Sequence, residues 1–188
     1  MIKALTATVL AAAILSGCSG LPAQNLDLHP KVTSAQKLPA DTVVLVKGVD
    51  TRKSALVGKR IDRLKNTAPL SLIDAQEQLE HAVEHALEDM GVTQFQQGEF
   101  TLTVYLDELS YDATMKNLLQ EVQARTTLRL KIEKGGEFYM GKYQTQTTKP
   151  FVNTPTPQDN EELFNELVGE TLSRAFKDRK LMDFLLFK

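Results

Sequence analysis

Two histidines four residues apart are the first candidates for chemistry in the sequence. His81 and His85 lie in an amphipathic stretch, and their spacing sets two imidazoles one helical turn apart, where they can share a metal ion. No glutamate directly follows His81, as the zinc-protease pattern requires. Both histidines fall opposite the apolar stripe of the predicted helix, beside Glu84 and Glu88. The pattern therefore predicts a solvated helix face, with no metal site and no cofactor.

Catalytic groups form no recognisable constellation in the sequence. The chain has one cysteine, Cys18, and no serine within a Gly-x-Ser-x-Gly turn. The adjacent glycines Gly135 and Gly136 occupy a predicted hairpin turn and precede no helix, so they form no phosphate-binding loop. Carboxylates are frequent, but they fall on faces predicted to meet water, where no burial tunes them for acid–base work. We predict no catalytic residue and no enzyme activity.

Cys18 is instead predicted to be the site of a covalent modification. Met1-Ile2-Lys3 is short and positive, and the twelve residues from Ala4 to Leu15 are almost all apolar or small. A helix needs roughly 20 residues to cross a bilayer, so this run is typical of a secretory signal. Leu15-Ser16-Gly17-Cys18 resembles the lipobox of bacterial lipoproteins, in which cleavage falls between Gly17 and Cys18. The resemblance implies that Cys18 receives the lipid.

The lipid also predicts where the protein is located. Two or more acyl chains hold a protein stably at a membrane, at about 0.8 kcal/mol per buried CH₂. In bacterial lipoproteins an Asp after the cysteine favours the inner membrane; Ser19 stands here, which implies a lipid-anchored outer-membrane protein facing the periplasm. A cleaved signal with a free cysteine, or a cytosolic protein with a short amino-terminal helix, are the alternatives. We expect a signal peptide at residues 1–17, the lipidated cysteine and a tether at 18–41, and one domain at 42–188.

A run of basic residues precedes an acidic segment. Between residues 52 and 65 the single acid is Asp62, and the helix predicted next has six acids and no base. The basic run is either a patch that binds an anionic envelope protein, lipid or glycan, or a solvated segment that the acidic helix neutralises in the fold. Its members are Arg52, Lys53, Lys59, Arg60, Arg63 and Lys65.

Hydrophobic periodicity predicts the elements that carry these residues. The β-branched run 42–49 indicates a strand buried on both faces, followed by a polar loop from 50 to 68. Apolar positions three and four apart predict a helix over 72–90, begun by a capping box at Ser71 and Asp74 and ended by Gly91. Alternation predicts strands over 100–106, 122–133 and 137–148.

A second helix is expected after Thr156, which can cap it, with Pro157 in the first turn. Six apolar residues between Leu181 and Phe187 form either a last turn folded under the sheet, which we expect, or a tail that a partner covers. Together these elements predict an α+β two-layer sandwich of about four mostly antiparallel strands, with two helices packed on one face.

Composition limits the partners. The 188 residues carry a net charge of −2, whereas a nucleic-acid-binding surface needs surplus Lys and Arg. We therefore expect no nucleic-acid partner. With a single cysteine, an intrachain disulfide is excluded.

The order of these features is similar to that of a known family. The lipobox, the strand that ends in Val49-Asp50-x-Arg52, the basic loop, the helix ending at Met90-Gly91, three strands and a closing helix resemble the YajG family of uncharacterised bacterial lipoproteins. The resemblance covers nearly the whole chain after Cys18 and implies an outer-membrane lipoprotein without enzyme activity. Of functional residues, it implies Cys18 alone.

Three classes of function remain to be compared. The favoured one is a non-catalytic binding or assembly module of the cell envelope, with an exposed sheet edge as a docking surface. The alternative is an accessory subunit of an envelope lipid- or polysaccharide-transport machine, an analogy at fold level. That role requires an apolar cavity near Phe138, Tyr139 or Phe151. A hydrolase is disfavoured because the sequence lacks a nucleophile and base.

Overall fold

Seven strands and three helices follow one another along the described part of the chain, residues 20–34, 36–39 and 41–186 of a computed structural model. The strands are β1 (Gln24–Asn25), β2 (Val44–Asp50), β3 (Leu56–Ile61), β4 (Thr67–Ser71), β5 (Phe100–Lys116), β6 (Leu119–Lys134) and β7 (Glu137–Phe151). The helices are α1 (Ala75–Asp89), α2 (Pro157–Ala175) and α3 (Arg179–Leu186). No helix among the described residues has the length and apolar character needed to span a bilayer.

All seven strands belong to one mixed sheet. Its order is β1-β4-β3-β5-β6-β7, and β2 also pairs with β5. β5 has 17 residues, so one edge of it holds two parallel partners in succession, β2 along its first half and β3 at Tyr111. The predicted sandwich of about four mostly antiparallel strands with two helices is therefore wrong. The class is α+β, but the sheet is seven-stranded and mixed, and three helices accompany it.

The long antiparallel strands β5, β6 and β7 follow from apolar alternation. Leu102, Val104 and Leu106 of β5 are buried on the same face as Leu128 and Leu130 of β6. The register then shifts between residues 106 and 108, a β-bulge that returns apolar side chains to this inner face from residue 109 onward. The bulge explains why the apolar alternation in the sequence breaks after residue 106, although the strand continues.

The segment from residue 50 to 68 is not the polar loop that the sequence predicts. It contains β3 and the start of β4, which pair antiparallel from Ile61 and Thr67 onward. Val57 and Arg60 of β3 are both buried, so a basic residue occupies an inward position and hides the apolar alternation. The strand β2 is also corrected: its residues alternate, with Lys47 exposed, so only one face is fully buried.

The two long helices differ in how they begin. At α2, Asp159 N donates to Thr156 Oγ1 at 3.1 Å and Thr156 N donates to Asp159 Oδ2 at 2.8 Å, which confirms the predicted capping residue. At α1 the N-cap is Asp74, and its side chain makes no capping bond, so the predicted box with Ser71 is wrong. Gly91 follows α1 with a φ of 107°, which confirms it as the terminating residue.

The helices pack on the inner face of the sheet, and the chain before β2 packs with them. We call residues 22–34 the amino-terminal segment. Its Leu26 and Leu28 are buried in the core, as is Leu38 farther on. The structure thus attaches to the body much of the stretch in which the sequence indicates a tether. Leu181, Met182 and Leu185 of α3 are also buried, so these members of the carboxyl-terminal apolar run pack as expected, whereas Phe187 lies outside the described residues.

Candidate functional site

An open cleft of about 590 Å³ lies between the amino-terminal segment and α1. Its apolar floor is made by Leu28, Val32, Ala82 and Ala86, and its rim carries the exposed side chains of His29, Lys31, His81, His85 and Asp89. The volume falls within the range of roughly 300–1,000 Å³ that is typical of ligand sites. The arrangement suits a bound group that is apolar along its length and polar at its margins.

Side chains of both long helices hold the segment that forms one wall of the cleft. Gln78 of α1 accepts a hydrogen bond from Leu28 N at 2.8 Å, while Asn165 and Ser173 of α2 accept from His29 N at 2.6 Å and from Thr33 N at 2.8 Å. Each bond satisfies a backbone N–H that no sheet partner reaches. The wall of the cleft is therefore built by tertiary contacts rather than by secondary structure of its own.

All three histidines of the chain lie on this cleft. Their side chains are 80, 71 and 79% exposed for His29, His81 and His85. Each has a carboxylate nearby: Asp27 is 3.2 Å from His29 and Glu84 is 3.5 Å from His81. Within residues 20–34, 36–39 and 41–186, no three His, Cys, Asp or Glu side chains converge on a common metal position.

The six basic residues of the predicted anionic-partner patch are divided among different environments. Arg52 donates to both carboxylate oxygens of Asp50, at 2.9 and 2.8 Å, and to Leu72 O at 3.0 Å. Arg60 is 3% exposed and donates to Pro22 O and Pro155 O. Burial lowers the pKa of its guanidinium.

The other four basic residues, Lys53, Lys59, Arg63 and Lys65, are exposed. Arg63 also donates to Val152 O. Lys59 is exposed although Arg60 is buried, because the two are neighbours on opposite faces of β3. In the described chain no ion pair joins residues 52–65 to α1. The acids of α1 are therefore not neutralised by direct pairing with this run.

Two Asp–Arg pairs flank a second, shallower cleft of about 260 Å³. One is Asp50 with Arg52, in which burial raises the pKa of Asp50 but the hydrogen bonds of Arg52 bring it below the usual value. The other is Asp107 with Arg129, joined at 2.6 and 2.8 Å, and the Arg129 hydrogen bonds lower the pKa of Asp107. Arg129 also lies 4.7 Å from the ring centre of Tyr105. Both cations are held by the fold, so neither is available as a free ligand-binding charge.

The sequence analysis missed a cluster at the junction of α2 and α3. The hydroxyls of Tyr139 and Tyr143 each donate to Asp178 Oδ2 at 2.7 Å. Burial and then the Asp178 hydrogen bond raise the pKa of Tyr143, while the same bond raises that of Tyr139. Phe184 of α3 stacks on Tyr139. Tyr139 and Tyr143 are four residues apart in β7, a spacing that places both on the same face of the strand. No signal in the sequence identifies Asp178 as their common acceptor.

Gly17 and Cys18, the predicted cleavage and lipid-attachment residues, lie outside the described residues. The nearest described residue is Gly20. Their assignment stays a prediction from the sequence.

Fold and site together define a class: an α+β domain with a helix-covered mixed sheet and an open cleft beside its amino-terminal segment. A family model described as an uncharacterized lipoprotein matches residues 30–186. The chain belongs to this lipoprotein family, the YajG family, which confirms the resemblance seen in the sequence.

One solved structure has a similar fold. Protein XCC0632 from Xanthomonas campestris superposes with a TM-score of 0.53 at 13% identity, over 84% of this chain and 93% of that one. A minor lipoprotein from Acinetobacter baumannii has a TM-score of 0.40 at 14% identity, over 77 and 92% of the two chains. No curated protein matches the sequence.

Proposed function

We propose that this lipoprotein is a non-catalytic binding module of the cell envelope, anchored to the outer membrane through lipid on Cys18 and facing the periplasm. Membership of a lipoprotein family supports the anchored envelope role. The apolar run before Leu15-Ser16-Gly17-Cys18, with Ser19 after it, supports the finer location. Cleavage between Gly17 and Cys18 is part of the same proposal.

The observation that carries the binding role is the cleft between the amino-terminal segment and α1. Its floor is apolar, and its α1 wall has Glu77, Glu88 and Asp89 with no Lys or Arg on that helix, while Lys31 lies on the opposite wall. Complementary charge favours a partner segment that combines apolar side chains with basic ones. The ligand proposed here is therefore an extended or helical segment of an envelope protein.

The transport-accessory alternative has less support. It requires an apolar cavity between helices and sheet near Phe138, Tyr139 or Phe151. Tyr139 is instead packed against Phe184 and bonded to Asp178, and Phe138 is 61% exposed. Phe151 packs against the core. The surroundings of these three side chains favour recognition at the surface over storage of a lipid inside.

One preparation tests both parts of the proposal. The protein is isolated from membranes with a photoreactive residue at His85, and a matched chain has it at Glu162, an exposed position of α2 outside the cleft. We expect mass spectrometry to find acylated Cys18 and one protein adduct at position 85 that is missing at position 162. Ala82→Gln, which extends a side chain into the cleft, should lower the adduct yield.

Two results would contradict the proposal, and each addresses one part. An unmodified Cys18 in protein recovered without membranes contradicts the anchor. Equal adducts at positions 85 and 162, unaffected by Ala82→Gln, contradict the cleft as the binding site.

A further inference from the structure

Exposed apolar side chains gather at one end of the sheet. Leu118, Leu64 and Val152 are 86, 82 and 68% exposed, the three highest values among the large apolar residues of the described chain. Leu64 lies between β3 and β4, Leu118 between β5 and β6, and Val152 after β7. We call these three loops, residues 62–66, 117–118 and 152–153, the tip. Single exposed apolar residues are ordinary, whereas a group of them marks an interaction surface.

Hydrogen bonds join the three loops into one surface. Arg63 Nη2 donates to Val152 O at 2.5 Å and to Asn153 Oδ1 at 3.1 Å. Gln120, next to the β5–β6 turn, donates through Nε2 to Ile61 O at 2.9 Å. The apolar side chains of the tip therefore belong to loops with fixed relative positions.

The turns that present Leu64 and Leu118 are specified locally. Asp62 Oδ1 accepts from Leu64 N at 2.9 Å and from Asn66 N at 2.8 Å, an Asx-type turn. In the β5–β6 turn, Asn117 adopts a positive φ of 57°, which asparagine tolerates better than most residues. Both leucines thus occupy formed turns that the fold leaves uncovered.

The chain leading to Cys18 leaves the body at this same end. β1 runs parallel to β4, with Gln24 beside Leu70, and β4 begins at the tip with Thr67. Residues 20–23 therefore run toward the tip, where Arg60 Nη1 donates to Pro22 O at 3.1 Å. Cys18 is four positions before Pro22, and four residues span at most about 14 Å.

The charges of the tip suit a lipid surface. Lys65 and Arg63 lie on the β3–β4 loop, and Lys116 lies beside the β5–β6 turn; all three are exposed. Lys116 pairs with Glu121 and Arg63 bonds backbone oxygen, whereas Lys65 forms no ion pair within the part of the chain that the structure describes. Basic residues next to exposed apolar ones are the pattern of surfaces that bind the interface of an anionic membrane.

We propose that the tip rests on the membrane that carries the lipid anchor, with Leu64, Leu118 and Val152 in the headgroup region and Lys65 against lipid phosphates. The inference rests on the proposed anchor at Cys18 and adds the face of the body that meets the bilayer. The short connection from Cys18 to Pro22 keeps the tip within reach of the lipid. The body is then oriented on the membrane rather than tumbling on a long tether.

Lipid quenching of single labels tests this orientation. Because Cys18 is the only cysteine and its thiol is acylated in the anchored protein, Leu64→Cys and Leu118→Cys each accept one fluorescent label. Phe138→Cys is the matched control, an exposed apolar residue beside the β6–β7 turn at the other end of the sheet. The full lipoprotein is reconstituted into vesicles of phosphatidylethanolamine and phosphatidylglycerol with brominated acyl chains.

We expect labels at positions 64 and 118 to lose roughly half of their emission, because interfacial side chains lie about 5–10 Å into the headgroup boundary, and the label at 138 to lose little. Vesicle flotation reports the anchor in the same samples. Flotation with equal or no quenching at the three positions would overturn the inference alone. Protein that does not float would overturn the anchor and the inference with it.

Discussion

Asp178 connects β7 and α3 through one carboxylate. Its Oδ2 accepts from two tyrosines of β7 at 2.7 Å, and its Oδ1 accepts from Lys180 N at 2.9 Å in the first turn of α3. Burial raises the pKa of Asp178, but the hydrogen bonds from Tyr143 and Tyr139 bring it below the usual value. The ionised carboxylate therefore fastens α3 to the sheet edge at neutral pH.

Asp178→Asn should destabilise the protein at neutral pH. A hydrogen bond to a charged group contributes about 1.5–3 kcal/mol, and the amide keeps the shape but loses the charge. Since the folded pKa of Asp178 is depressed, the unfolded chain binds the proton first, and this stability is present above about pH 3.9 and lost as pH falls through the folded pKa. Urea unfolding at pH 7 and pH 3 should show a large difference between wild type and variant at pH 7 and a small one at pH 3.

Tyr143→Phe removes one of the two hydroxyls that donate to Asp178. The folded pKa of Tyr143 is raised, so the contribution of its hydroxyl to stability is complete below the unfolded pKa of about 10 and is lost as pH rises further.

For Asp178→Asn, a loss of stability relative to wild type that is the same at pH 7 and pH 3 would show that the carboxylate charge does not fasten α3.

Among the helices and strands, the sequence predicted the features that depend on residues close together in the chain. The hairpin of β6 and β7, the cap at Thr156 and the stop at Gly91 all depend on neighbouring residues, and the sequence located them. β3 and β4 were missed because the inward position of Arg60 interrupts the apolar alternation. Their strand state depends on pairing with the second half of β5, which is remote in sequence and itself hidden by the bulge after Leu106.

The candidate site was predictable only in part, for a similar reason. The His81–His85 spacing and the exposed face of α1 were visible in the sequence. The opposite wall was not, because residues 28–33 have no periodic pattern and are positioned by Gln78, Asn165 and Ser173. The burial of Arg60 was equally hidden, since it bonds Pro22 O and Pro155 O through tertiary contacts, whereas Arg52 pairs with Asp50 two residues away.

The amino-terminal segment crosses α2 in close contact at Gly169. A Cβ built there would lie 2.5 Å from Lys31 O, too close for backbone to tolerate. Gly169→Ala should therefore shift the segment, although alanine favours the helix by up to about 1 kcal/mol. We expect faster amide hydrogen exchange at His29 and Thr33, whose N–H groups bond to α2, with core strands unchanged. Glu166→Ala, on the exposed side of α2, is the control, and unaltered exchange at both amides in Gly169→Ala would contradict this packing.

At the scale of the whole molecule, the α1 wall of the cleft and the tip lie toward opposite ends of the sheet. Gly48 is level with Val104 of β5 and donates to Glu80 of α1 at 2.7 Å. α1 then continues toward the start of β5, because Met90 O accepts from Leu38 N and Gln94 O accepts from Val44 N, which pairs at Phe100. The tip lies at the far end of β5, beyond residue 116. At about 3.3 Å per residue, roughly 40 Å of strand separates the two levels.

This separation predicts that the cleft stands clear of the membrane when the tip rests on it. A donor dye on His85→Cys and one on Leu118→Cys, each in the anchored protein with acceptor-labelled lipid, should report very different distances of closest approach. We expect about 40 Å for position 85 from the strand length, and headgroup contact, within about 10 Å, for position 118. Such an upright body would offer the cleft to periplasmic partners while the lipid holds the opposite end. Similar distances at the two positions would mean that the sheet lies along the bilayer, and the cleft would then face lipid rather than a protein partner.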